Sequence, residues 1–287
     1  MFAVVSTFAF AKSDTPKNEL TELLKTKHFD IRYKNGQTTP KEAQAIGEKA
    51  EVFYKRLHNY LGRKPKNKIT ICLEGNRGDD PKHKWAYVDE TVGWMHLFRF
   101  PEDTFSYQTG LSHELVHAYR FEHLSNIEMP PSPTFIFLEE GLAEYLSNVI
   151  EPKKETFANY GYDLGVIAGQ WITSDEDIPL ETLLKEQYRL RPRCIPQAYT
   201  QQASFMQFIE LELGVKTVKR LAYAKDILDK RSLTPYLKEP FPSFAGKWKA
   251  STLERFNKIP NSIEQASKWR NSDSVTGMHI CKKGTDF

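Results

Sequence analysis

Two histidines four residues apart, with a run of glutamates in an apolar stretch downstream, restrict this chain more than any other feature. The histidines stand in His113-Glu114-Leu115-Val116-His117, within GLSHELVHAYRFEHL. On an α-helix, residues four apart lie on one face, one turn above the other. His113 and His117 therefore point the same way, close enough for two imidazoles to hold one metal ion. Glu114 follows the first histidine and reaches the same side as a base. This H-E-x-x-H spacing is the pattern of zinc hydrolases. The competing reading is a buried structural histidine pair.

The second half of the signal is FIFLEEGLAEYLS. Catalytic zinc keeps three protein ligands and one open position for water, so two histidines need a third partner. A second helix carrying Glu139, Glu140 and Glu144, packed beside the first, offers one. An acidic pair among Phe135, Ile136, Leu138, Leu142, Ala143 and Leu146 is costly unless the carboxylates are paired or bound to metal. The bland alternative is a solvated face. Against it, Glu140 and Glu144 share a face and are flanked by Leu138 and Leu142.

HELVHAY followed by LEEGLAEY resembles the gluzincin metallopeptidases, in particular their peptidase MA-like branch. There a histidine pair and a downstream glutamate, in an (N/E)-E-G-x-A pattern, hold zinc. The resemblance implies Glu140 as the third ligand and Glu144 as the acidic residue that braces a zinc histidine. The connection from His117 to Glu140 is longer than in aminopeptidase-like members. It contains Pro130, Pro131 and Pro133, which suits an ordered connection of variable length. The segment from Tyr199 to Leu221 also resembles the family, in which Y-x-x-x-x-S-F precedes an apolar helix and then a glycine. The likeness runs over residues 28–225, and only its zinc motifs are specific.

The expected protein is a peptidase of α+β fold with one zinc ion. An N-terminal lobe carries a mixed or mostly antiparallel sheet and the two zinc helices, and a helical C-terminal lobe comes after it. Glu114 is the expected general base. The developing oxyanion needs a donor besides the metal; Tyr199 is the first candidate and Tyr162 the second, with an ordinary packed tyrosine as the alternative for each. Two other readings stay open: an inactive protein that binds peptides or a partner on the same fold, and a zinc hydrolase of a non-peptide amide. Intact His113, Glu114, His117 and Glu140 favour catalysis over the first.

A chain of 287 residues allows one or two domains and a sizeable core. The expected divisions are 1–11 as a possible signal peptide, 12–150 as the α/β lobe, 151–270 as the helical lobe and 271–287 as a polar tail. A net charge of +3 without a dominant basic run gives no support to nucleic-acid binding. The expected partner is a peptide or protein substrate, and no stretch beyond the N-terminus reads as a membrane span. Nothing bears on oligomeric state. MFAVVSTFAFAKSD ends in Ala9-Phe10-Ala11 like a signal-peptidase site, lacks a basic leader and is too short to span a bilayer. It is read as a signal peptide or as a buried strand, and the former implies a secreted or periplasmic protein. Cys72, Cys194 and Cys281 form no CxxC, which speaks against a thiolate metal site. They allow one disulfide with a free thiol, or three thiols.

In chain order, 12–27 reads as a loop and short helix, and His28–Tyr33 as a strand by alternation. Thr39 should cap a helix, with Pro40 at its first position, Glu42 completing a capping box and Gly62 ending it. Ile46, Ala50, Phe53, Leu57 and Tyr60 give that helix its apolar face. Lys68–Leu73 reads as a strand, Glu74–Asp89 as an exposed loop and Thr91–Phe100 as a strand. The resemblance places that last strand at the sheet edge beside the cleft, where a substrate chain can pair with it. His96 reads as a strand histidine rather than a ligand. Pro192 and Pro196 break the chain before an amphipathic helix from Tyr199 to Leu213. Helices are also expected around 180–188, 218–222, 241–256 and 263–269.

Overall fold

The structure is a computed structural model that describes residues 20–76, 86–89, 92–99, 108–124, 133–151, 163–186, 194–225, 232–262 and 264. The N-terminal apolar run, Tyr162, Cys281, the polar tail and nearly all of the helix expected at 263–269 lie outside these residues. The described chain is α+β. It divides into a sheet-bearing unit, which runs through the histidine helix and includes Val149–Glu151, and a helical unit made of the glutamate helix and the segments C-terminal to it.

The sheet-bearing unit has five strands: β1 Glu22–Lys25, β2 Phe29–Tyr33, β3 Ile69–Asn76, β4 Ala86–Val88 and β5 Met95–Arg99. Their order is β1-β2-β3-β5-β4. The outer pairs are antiparallel, while β2–β3 and β3–β5 are parallel, so the sheet is mixed rather than mostly antiparallel. Three expectations are corrected here. Residues 22–25 form a strand, not a helix; with mostly exposed side chains they show no alternation and join the sheet through backbone pairing with β2. The stretch read as an exposed loop supplies the end of β3 and all of β4. The edge beyond β5 is taken by β4, so β5 is an inner strand.

Helix α1, Pro40–Leu61, makes the crossover between β2 and β3. Its start is fixed as the sequence implies: Thr39 Oγ1 accepts from the Glu42 N–H while the Glu42 carboxylate accepts from the Thr39 N–H. Such a cap contributes about 1 kcal/mol. Gly62 closes the helix at φ +82°. Ala43, Ile46, Ala50, Phe53, Leu57 and Leu61 face the sheet, whereas Tyr60 is only half-buried. A Cβ on Gly47 would lie 2.7 Å from Ile31 Cδ1, so glycine here lets α1 approach β2. At its edge Glu51 accepts hydrogen bonds from Thr26, the His28 backbone and the His28 ring. Burial works to raise the Glu51 pKa, but these hydrogen bonds outweigh it and hold the carboxyl below its ordinary value.

Helix α2, Gln108–Leu124, comes after β5. Helix α3 spans Pro133–Ile150 and belongs to the helical unit up to Asn148; the rest of that unit is α4 Leu164–Thr173, α5 Leu180–Glu186, α6 Ile195–Leu213, α7 Val215–Leu221, α8 Thr234–Leu237 and α9 Phe241–Lys258 among the described residues. Helix α6 starts four residues before Tyr199, because a proline in the first turn loses no intrahelical bond. Phe205 of α6 is central to this unit, ringed by Phe137, Phe241, Phe244 and Trp248 at centroid distances of 5.5–6.4 Å. Gly169 of α4 meets α9 so closely that a Cβ would lie 2.5 Å from Phe256 Cβ.

Cys194 is disulfide-bonded and Cys72 is a free, buried thiol. Burial, with the Glu74 charge adding to it, pushes the Cys72 thiol up to about 12. No described helix is long and apolar enough to cross a membrane.

Candidate metal centre

Helix α2 places its histidines by having one face to bury. Leu111, Leu115, Val116, Ala118 and Tyr119 are buried. The helix lies so near the β4–β5 pair that a Cβ on Gly110 would come 2.8 Å from Ala86 Cβ. Its C-terminal half is pinned by polar contacts. The Tyr119 hydroxyl donates to the Arg63 carbonyl and lies 3.2 Å from His58 Nδ1. Tyr119 also meets Tyr54 edge-on at 5.2 Å. One turn on, the Glu122 carboxylate accepts from Asn67 N–H at 3.1 Å.

This leaves His113, Glu114 and His117 on one flank. His113 is 6% exposed, while Glu114 and His117 are half-buried. The two Nε2 atoms lie 3.3 Å apart, with the rings at 66° to each other. A tetrahedral ion bonded to nitrogen at about 2.0–2.1 Å subtends a nitrogen–nitrogen edge of about 3.3 Å. The separation of the pair is therefore that of two nitrogens on one tetrahedral zinc ion. The same contact has the length of a ring-to-ring hydrogen bond, its direction set by the tautomers.

Helix α3 is of a different kind. From Thr134 to Ser147 every side chain is buried. Glu140 is 9% exposed, Glu144 0% and Glu139 5%, so the solvated-face reading is overturned. Phe137, Gly141 and Tyr145 form a stripe against α6. Phe137 meets Phe205, a Cβ on Gly141 would lie 3.0 Å from Gln202 Cβ, and the Tyr145 hydroxyl donates to Glu210 at 2.7 Å. Glu140 and Glu144 share a face next to this stripe, whereas Glu139 lies around the other side of the helix. Carboxylates held so far from water need hydrogen-bond, ionic or metal partners. Histidine and glutamate donors of the type a metal ion takes, His113, His117 and Glu140, are thus present in buried or half-buried positions.

Tyr199 lies in the second turn of α6 and is buried. The helix starts at Ile195, so Tyr199 sits inside it rather than at its first residue. Tyr162 lies outside the described residues.

No protein-family model matches the chain, and neither does any curated protein. Among solved structures, the chain is similar to an aminopeptidase N family protein from Idiomarina loihiensis, at TM-score 0.48 and 13% identity over 85% of this chain and 46% of the other. It is also similar to an M1 zinc metallopeptidase variant from Deinococcus radiodurans, at TM-score 0.37 and 15% identity over 88% and 49%. The chain thus spans about half the length of each of these two proteins.

Proposed function

We propose that the chain is a zinc-dependent peptidase in which His113, His117 and Glu140 hold one metal ion, on a zincin-like version of the α+β fold. The observation that carries this reading is the 3.3 Å separation of the two histidine Nε2 atoms, the edge a tetrahedral zinc site requires. A zinc ion held there would supply Lewis acidity, bringing the pKa of an adjoining water near neutrality and polarising a substrate carbonyl. Glu114, half-buried on the same flank of α2, takes the proton from the attacking water and passes it to the leaving amine. Glu144 accepts the second ring N–H of a zinc histidine and so fixes its tautomer. Tyr199 donates its phenolic hydrogen to the carbonyl oxygen as negative charge builds there. The substrate is a peptide or protein. A secreted or periplasmic location belongs to the same proposal, and the disulfide at Cys194 suits an oxidising compartment.

The test is metal analysis of the purified protein together with digestion of a peptide library, with and without chelator. Stoichiometric zinc and chelator-sensitive cleavage are expected. Bound zinc without any cleavage would favour the peptide-binding reading, and a histidine pair that takes up no metal would overturn both.

A further inference from the structure

The face of the sheet opposite α1 and α2 carries a second group of donor atoms. One row crosses four strands in register: Arg32 on β2, Cys72 on β3, His96 on β5 and Tyr87 on β4. Cys72 and Glu74 are two apart on β3 and so point to the same face. After Leu73 the β3–β5 register shifts, at Gly75, whose φ is +74°. Such irregularities re-aim a side chain, and here Glu74 turns to the neighbouring strand, its Oε1 2.6 Å from His96 Nδ1. The Tyr87 ring stacks on the imidazole at 4.6 Å and 7°, fixing its plane. Cys72 is 1% exposed and His96 5%. One sulfur, one carboxylate oxygen and one imidazole nitrogen from these three residues all lie within 4.8 Å of one another.

We propose that Cys72, Glu74 and His96 form a second metal site, distinct from the α2 histidines, for a divalent ion of zinc-like softness. Thiolate, imidazole and carboxylate are the donor types that zinc takes. Their ligand–ligand edges in a tetrahedral site are about 3.3–3.7 Å. The group therefore closes on an ion by side-chain rotation, with the strands left in place. The ion takes the place of the hydrogen between His96 Nδ1 and Glu74, the imidazole staying neutral with its one hydrogen on Nε2, and displaces the thiol proton to solvent. One thiolate and one carboxylate then balance its two charges, so the buried site ends neutral, as burial demands. Three protein donors leave the fourth position of a tetrahedral ion to a water molecule. Cysteine spacing along the chain points away from such a site, because its donors meet through strand register.

Cobalt(II) titration of the metal-stripped chain tests this, since only a thiolate ligand gives sulfur-to-cobalt charge-transfer absorption in the near ultraviolet, and the α2 site has no sulfur. The wild type should show that band and bind two equivalents. His113→Ala/His117→Ala should keep the band and one equivalent. Cys72→Ser should lose the band and one equivalent while retaining zinc at the α2 site and peptidase turnover. Glu74→Gln, which preserves volume, is the second variant should Cys72→Ser fold poorly, and it should bind one equivalent fewer than the wild type. A folded wild type without the band, or a Cys72→Ser protein that binds as many ions, overturns the proposal. Because the histidine double variant isolates the site, this result is independent of whether the chain is a peptidase.

Discussion

Helices α2 and α3 both carry ionisable groups among apolar ones, yet they bury them differently. On α2 the apolar face is packed while Glu114 and His117 remain half-buried. On α3 the burial is unbroken from Thr134 to Ser147, and three carboxylates lie within it. A half-buried carboxylate keeps contact with water and can exchange protons. A fully buried one is tied to its partners and serves to hold something in place. A change at Glu114 should therefore be read mainly in turnover, and changes in the helical unit mainly in affinity or in a single rate term.

The sharpest test of that contrast is Glu114→Gln. The amide cannot take the water proton, so kcat should fall by about 10²–10⁴-fold, with zinc content and thermal midpoint unchanged. His117→Ala should lose both zinc and turnover. Equal turnover in Glu114→Gln and wild type would remove the base from α2 and with it the contrast. Next in size is Tyr199→Phe. If the phenol serves the oxyanion, kcat should drop by about 10²–10³-fold with little change in KM. A packing tyrosine would instead show lost stability and normal turnover of the folded fraction. Glu144→Ala comes third: zinc affinity, measured against a competing chelator, should weaken by about 10–100-fold. Unaltered affinity would mean that Glu144 braces no zinc histidine.

The smallest effect serves as a control, because Glu51 is a charged group with identified partners away from the metal centre. Its carboxyl is held below its ordinary pKa in the folded chain. The stability this confers is present above the unfolded pKa and is lost as pH falls through the folded one. Glu51→Gln should thus lower the denaturation midpoint at neutral pH, and the difference should close in the acid range while turnover stays the same. A difference independent of pH would locate the effect in packing.

How much the sequence discloses depends on how local the cause is. The limits of α1 are set by Thr39, Pro40, Glu42 and Gly62, each acting within a few residues, and the pairing of His113 with His117 needs only the helical repeat. Strand β4 is hidden because three residues in a polar stretch carry no period, and its place is set by backbone pairing with β5. The start of α6 is obscured because Pro196 would break a helix interior but suits a first turn. The burial of Glu139, Glu140 and Glu144 is a tertiary fact, and the spacing along α3 is equally compatible with a wet face. Cys72 and His96 are neighbours only through the β3–β5 register, which no spacing in the chain encodes.

The strand order also has a consequence in time. Strand β5 enters between β3 and β4, both of which precede it in the chain. The β4–β5 pair is a local hairpin, with the Asp89 N–H donating to the Trp94 carbonyl, and hairpins close in about 1–10 μs. Its parallel ladder with β3 joins more distant segments and must wait for a longer loop to close. Helix α2 is the next described element after β5, so the histidine pair gains its sheet-side packing only after the hairpin docks. In pulsed hydrogen exchange during refolding, amides of α1 should gain protection before those of the β3–β5 ladder, with α2 becoming protected together with the ladder. Protection of α2 ahead of the ladder would show that the histidine helix forms without the sheet beneath it.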